Sequence, residues 1–277
     1  MDKLAADGVV LNQHYVQQMC TPSRASLMTG KYPARMGLQH KVIFPPFCYG
    51  VPLNEVLLPE LLQDLGYKTH MVGKWHLGDC QWEYTPTYRG FDSFFGYHLG
   101  AGDYFYHTQS YEDHAGYDYW QDTKMVAEDF SGVFSMKTYV NMAQRRIAEH
   151  AAANRKLTQE GGSGARRMAE IRAASNRGMG EATALDKESP MFMYLALQAP
   201  HDPLEAPNEF IEKYPDVLDN DRKMYSALVS SVDQAVGDVV EALKEADMWD
   251  NTLLVFSADN GGVKTGGGYN WPYRGQK

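Results

Sequence analysis

The sequence predicts an α/β fold, with a largely parallel central sheet flanked by helices. Three observations carry that prediction. Short apolar runs at residues 9–11, 69–73, 191–197 and 252–257 have the unbroken apolar character of strands covered on both faces. Helical periodicities lie between them, clearest over 224–244, where Leu228, Val232, Ala235, Val236, Val239, Val240 and Leu243 share one side. A polar loop follows each apolar run, and strand–loop–helix units in series favour parallel pairing through right-handed crossovers.

Residues 3–8 read as a helix end closed by Gly8, and 9–11 as a strand feeding the loop at Cys20. Thr21 is a capping residue, and Pro22 suits a first helical position, where its missing N–H needs no partner. Gly30 offers a stop about two turns on. Cys20 is therefore expected just outside the positive end of a short helix, where backbone N–H groups favour an anion. Arg24 lies one turn along, with a donor fork suited to a tetrahedral oxyanion. A cysteine so placed reads either as a low-pKa thiolate nucleophile or as a small buried apolar residue.

Leu53, Val56, Leu57, Leu61, Leu62 and Leu65 recur at helical spacing over 52–65, closed by Gly66. The strand at 69–73 then runs into Lys74-Trp75-His76. Thirteen aromatic residues crowd 84–120, among glycines and acids. That stretch reads as loop packing over a core edge, with a stacking platform for sugar or aryl rings as the sharper alternative. Residues 144–189 change character: no aromatic residue, nine Lys/Arg against six Asp/Glu, and the interruption Gly161-Gly162-Ser163-Gly164. They read as a helical or flexible solvent-facing insertion, with a basic docking face for an anionic polymer as the weaker alternative. The strand at 191–197 delivers His201, the strand at 252–257 delivers Asp259 and Asn260, and a glycine-rich loop ends at Lys277. Parallel sheets take ligands at the carboxyl ends of their strands. Cys20, Lys74, His76, His201, Asp259 and Asn260 should therefore meet at one sheet edge.

At 277 residues the chain can form one large domain with a substantial core. Apolar content of 44% and charged content of 22% are those of a soluble globular protein. A net charge of −9 argues against a general nucleic-acid partner. No apolar run approaches the ~18 residues of a membrane span, and the N-terminal residues lack the pattern of a signal peptide. The chain holds no Asn-x-Ser/Thr acceptor. With Cys20 reserved for chemistry, Cys48 and Cys80 remain for one disulfide, a pairing that spacing alone leaves open.

Cys20-Thr21-Pro22-Ser23-Arg24, followed by Leu27-Met28-Thr29-Gly30, resembles the signature of the sulfatase family within the alkaline phosphatase superfamily. Four further blocks match that family in order: Gly73-Lys74-Trp75-His76-Leu77-Gly78, Pro200-His201-Asp202-Pro203, Ser257-Ala258-Asp259-Asn260-Gly261-Gly262, and Asn270 through Lys277. Gly37-Leu38-Gln39-His40 and the run from Pro86 to Asp92 resemble the branch of arylsulfatase B (N-acetylgalactosamine-4-sulfatase) and its I and J relatives. The resemblance spans nearly the whole chain outside 144–189. It implies an alkaline-phosphatase-like catalytic domain over 1–277.

The resemblance also implies a mechanism. Cys20 is oxidised to Cα-formylglycine by a formylglycine-generating enzyme that reads Cys20, Pro22 and Arg24. One hydroxyl of the hydrated aldehyde attacks sulfur and displaces an alcohol or phenol. His76 takes the proton of the other hydroxyl, the aldehyde reforms and sulfate leaves. His201 and Lys277 serve the leaving oxygen, while Arg24 and Lys74 hold the nucleophile and the sulfate charge. Position 20, Asp259 and Asn260 would ligate Ca²⁺, with Mg²⁺ as the alternative. The implied substrate is a small-molecule or glycan sulfate ester, and the implied location is the lysosome or the exterior. A phosphonate or phosphodiester hydrolase and a non-catalytic binder of sulfated glycans are the alternative readings.

The chain departs from that family in two respects. A sulfatase is expected to open with a strand ending in an Asp-Asp pair, yet the nineteen residues before Cys20 contain no adjacent acids. Further strands and a smaller C-terminal domain are expected after Lys277. The sequence therefore reads as truncated at both ends and inactive alone, and Asp259 with Asn260 should bind a divalent cation weakly.

Overall fold

A computed structural model describes residues 1–161 and 188–277. The centre of the fold is β1 (Lys68–Lys74), which pairs in parallel on both sides. Its partners are β2 (Ser93–Tyr97) and a later strand at Met191–Ala196. The ladder aligns Met71 with Phe94 and Tyr194, and Val72 with Phe95 and Leu195. Successive side chains of a strand point to opposite faces. Accordingly Met71 and Phe94 join one apolar cluster with Met28, Leu57 and Trp75. Val72 and Phe95 join another with Tyr139, Val140, Leu228 and Val232. Each such side chain contributes roughly 1.5–3 kcal/mol through burial.

Helices cover both faces. The helices α1 (Asp2–Asp7), α2 (Cys20–Thr29) and α3 (Leu58–Asp64) come first in the chain; α2 supplies Ala25 and Met28 to the Met71 cluster, and Leu57, the N-cap of α3, joins them. The opposite face carries α4 (Ser135–Gly161) and α6 (Asn220–Glu245), which follows the short α5 (Asn208–Ile211). Asp219 caps α6 by accepting from the Arg222 N–H at 2.7 Å. A two-stranded hairpin, β3 (Thr108–Tyr111) and β4 (His114–Tyr117), stands apart. The pair β5 (Trp120–Gln121) and β6 (Lys124–Met125) adds antiparallel strands beside β2. Numbering Met191–Ala196 as β7, the sheet order is β6-β5-β2-β1-β7. This is the expected α/β architecture, parallel from β2 through β1 to β7, with β5 and β6 antiparallel at the other edge.

Several local expectations are corrected. Residues 9–11 form no strand; Val9 is 88% exposed, and no ladder partner lies beside it among the described residues. Residues 252–257 likewise run without a ladder, with Leu253 91% and Val255 77% exposed, although Leu254 packs against the core. Apolar character alone does not make a strand; the backbone needs a neighbour to bond. The periodic stretch at 52–65 yields only α3, whose extended N-cap is Leu57 and whose first turn holds Pro59, a position where the missing N–H needs no partner. The helix at the nucleophile loop begins at Cys20 itself, with Met19 as N-cap in place of Thr21, two residues earlier than expected. Ser93–Tyr97 is a wholly buried strand that the reading of 84–120 as loop did not anticipate.

The boundary set at residue 144 falls inside α4. Ala143 and Ile147 pack with Val239 and Leu243, so this part of the helix belongs to the core. Residues 162–187 of the expected insertion lie outside the described residues. Cys48 and Cys80 form a disulfide closing 32 residues of separation. Among the described residues no helix is long and apolar enough to cross a membrane.

Candidate active site

The site forms where β1 and β2 end. Two glycines bring these strand ends unusually close to their neighbours. A Cβ on Gly73 would stand 2.0 Å from the Ala196 carbonyl oxygen, and one on Gly96 equally near that of Gly73. Both have positive φ, so glycine is required on two counts. The chain leaving β1 then places Lys74 and His76 beside the start of α2.

Cys20 is the first residue of α2 and only 2% exposed. Lys74 Nζ donates to its Sγ at 3.1 Å, and Sγ lies 3.4 Å from Asn260 Oδ1. Burial alone would raise the thiol pKa. The Lys74 ammonium, with His201 and His76 beside the sulfur, overcomes that and brings it down to about 3. The position therefore favours an anion. Burial pulls Lys74 down to about 8, with Arg24 adding and the sulfur opposing.

Arg24 organises the other half of the site. Its guanidinium reaches Asp259 Oδ2 from Nε at 3.1 Å and from Nη2 at 2.9 Å. Its Nη1 donates to the Lys74 carbonyl at 2.5 Å and to the Tyr194 hydroxyl at 3.3 Å. Burial opposes ionisation of Asp259, but Arg24 and then Lys74 hold its carboxyl well below the usual range. Burial and Arg24 act in opposite directions on Tyr194, and burial wins, raising it.

His76 has φ 59, uncommon for a residue with a side chain. Its backbone is pinned: N–H donates to the His98 carbonyl at 2.9 Å, and its own carbonyl accepts from Thr21 Oγ1 at 3.0 Å. The ring Nε2 lies 2.9 Å from the Ile43 carbonyl, which only accepts, so Nε2 carries the proton. Among the described residues the buried Nδ1 has no hydrogen-bond partner and keeps a free lone pair. Burial brings the ring down to about 4, leaving it neutral and ready to accept a proton. His201 is arranged conversely. Its Nδ1 faces the Asp202 carbonyl at 2.8 Å, so its Nε2 accepts from Lys277 Nζ at 2.9 Å. Lys277 is then the proton holder of that pair.

All eight residues singled out from the sequence thus form two linked groups. Cys20, Lys74, Asn260, Arg24 and Asp259 join through direct hydrogen bonds. His76 and His201, with Lys277 bonded to the latter, influence the Cys20 sulfur. The sequence did not point to Tyr194, Thr21 or Ile43. Tyr194 was visible only as a hydroxyl inside an apolar strand, and the other two act through backbone partners that no motif reveals.

The donor set does not complete a cage for a divalent cation. Ca²⁺ takes six to eight oxygens and Mg²⁺ demands an octahedron. Here Asp259 offers one carboxylate already engaged by Arg24, and Asn260 offers one amide oxygen. Among the described residues no cluster of three or more His, Cys, Asp or Glu side chains is placed to hold a metal.

Comparison with known proteins fits this arrangement. Arylsulfatase J of Mus musculus is 38% identical over the whole of this chain, which covers 41% of that protein. N-acetylgalactosamine-6-sulfatase of Homo sapiens is 29% identical over 99% of the chain and 48% of its own length. The chain thus spans about half the length of the curated relatives it matches. The crystal structure of Ps i-CgsB superposes with a TM-score of 0.72 at 31% identity, over 93% of this chain and 52% of that one. A second structure, of Ps i-CgsB in complex with k-i-k-neocarrahexaose, gives 0.71. A family model described as Sulfatase matches residues 1–276. With the family's motifs gathered around one buried cysteine and the family model matching residues 1–276 of this chain, the chain belongs to the sulfatase family.

Proposed function

We propose that this chain carries the reaction centre of a sulfuric ester hydrolase acting on an aryl or sugar sulfate. One observation carries the reading. A buried position at a helix N-terminus is ringed by the cations of Arg24 and Lys74, with His201 and Lys277 beside it and the unpartnered Nδ1 of His76 nearby. That is a receptor for a tetrahedral oxyanion with a base and an acid in place. The neighbour bound to neocarrahexaose and the sugar-sulfatase relative support a glycan ester as the substrate.

In this reading Cys20 is converted to formylglycine, whose hydrate loses one proton to water and attacks sulfur through the resulting alkoxide. Lys74 holds the nucleophile and, with Arg24, the sulfate charge. Lys277, aimed by His201, gives its proton to the departing oxygen. His76 Nδ1 takes the proton from the remaining hydroxyl, which lets the aldehyde reform as sulfate leaves. No step is routed through a metal, because the residues described make no complete cage. The Cys48–Cys80 disulfide supports a secretory route, since such bonds persist in oxidising compartments.

The test is mass analysis of the peptide carrying Cys20, from cells that contain the formylglycine-generating enzyme. An aldehyde is expected. An intact thiol would overturn the hydrolase reading in favour of a non-catalytic binder. The 277-residue chain by itself should bind 4-nitrophenyl sulfate without releasing nitrophenol; metal-dependent release would show that the cage is more complete than the described residues allow. The same assay with an aryl phosphonate separates the sulfate reading from phosphonate hydrolysis.

A further inference from the structure

A second recess adjoins the first. It has a volume of about 370 Å³, within the range of small-ligand clefts, roughly 300–1,000 Å³. Its wall is the segment after β2, and that segment also closes the reaction site: a Cβ on Gly100 would stand 2.4 Å from the His76 ring. The lining is aromatic and acidic. Trp82, Trp120 and Tyr117 supply ring surface, and Trp82 is 43% exposed although it sits edge-on to Trp120 at 5.8 Å.

His98 gives the recess its polar focus. The ring stacks on Phe94 at 5.0 Å and tilts against Trp120 at 5.1 Å. It is only 5% exposed, yet among the described residues its Nε2 has no hydrogen-bond partner. A buried polar atom without a partner is costly unless something binds it. Asp118 is fully engaged, accepting from the His98 and Leu99 N–H groups and from Trp120 Nε1 at 2.8–3.0 Å. Asp79 has no hydrogen bond within the described residues and remains free to accept from a ligand hydroxyl. Among the described residues no Lys or Arg lines the recess.

We propose that this recess binds a neutral pyranose of the substrate glycan, next to the sulfated residue. The proposal rests on the reading of the first site as a sulfate ester site. A sugar ring offers a C–H face to Trp82 and hydroxyls to His98 Nε2 and Asp79. The two aspartates repel a uronate or a second sulfate ester, so the neighbouring residue is uncharged.

Tryptophan fluorescence and saturation-transfer NMR on the 277-residue chain test this, with lactose and N,N′-diacetylchitobiose as neutral probes and glucuronic acid as the anionic one. A neutral disaccharide should bind, lose about tenfold affinity in Trp82→Ala, and keep most of it in Trp82→Phe. Glucuronic acid should not bind. Neither neutral probe binding, equal binding of glucuronic acid, or an unchanged affinity in Trp82→Ala would overturn the proposal. Titration of 4-nitrophenyl sulfate on the same samples reads the first site separately. Loss of that binding alone would overturn the sulfate site and leave the sugar recess standing.

Discussion

Two recesses share one wall and have opposite chemistry. Around Cys20 the chain concentrates Arg24 and Lys74, with Lys277 on His201, against one carboxylate, and buries the reacting position almost completely. Around Trp82 it sets two aspartates and three aromatic rings about an open cleft without a cation. Buried cations are strong only where anion and cation are both desolvated, so the first recess suits a small dianion. Ring stacking tolerates solvent, so the second suits a broad, uncharged surface. The lesson is that selectivity for one ester among many need not reside where the bond breaks.

Two large effects test that contrast, and one is Arg24→Ala. It leaves Asp259 without its partner and removes a donor from Tyr194 and from the Lys74 carbonyl. A loss of about 3 kcal/mol is expected in urea unfolding, with unchanged slope. A loss under about 1 kcal/mol would mean that Arg24 is not part of the framework. Replacing Cys48 and Cys80 by Ser acts on the other side, because Cys80 lines the aromatic recess. By loop entropy it should also cost about 3–4 kcal/mol, and it should weaken lactose binding more than aryl sulfate binding. The reverse order would break the assignment of the two recesses.

Lys74→Met sharpens the comparison without opening the fold. Loss of a charged hydrogen-bond donor should weaken 4-nitrophenyl sulfate binding about ten- to a hundredfold by calorimetry, with lactose affinity unmoved. The smallest effect belongs to Asp79, whose carboxyl is pushed up to about 6 by burial, with Asp118 adding. Its folded pKa lies above its unfolded value, so ionisation costs stability: fully above about pH 6, and not at all below about pH 4. Asp79→Asn should therefore gain about 1 kcal/mol at pH 7–8, after allowance for its partial exposure, and nothing near pH 4. A constant gain across that range would show that charge is not the cause.

Much of the site was legible from the chain, because its chemistry sits at strand ends with distinctive neighbours. Cys20, Lys74, His76, His201 and Asp259 each follow a stretch whose apolar or turn-forming character announces a loop. The aromatic recess was legible only as composition. Trp82, His98 and Trp120 belong to different turns and strands, and their proximity depends on how β5 returns against β2. The boundaries failed where backbone partners decide: 9–11 and 252–257 are apolar enough for strands but lack a ladder. Ser93–Tyr97 was hidden among aromatics, yet became a central strand because β1 pairs along its whole length.

By itself the sequence determined the residue types that can grip a sulfate and their order along an α/β chain, because motif spacing and apolar periodicity are local properties. Tertiary structure decided which nitrogen of His76 stays free, which carboxylate Arg24 engages, and that an acidic aromatic cleft shares a wall with a cationic one. Those are relations between atoms far apart in the chain, and only packing brings them within hydrogen-bonding distance.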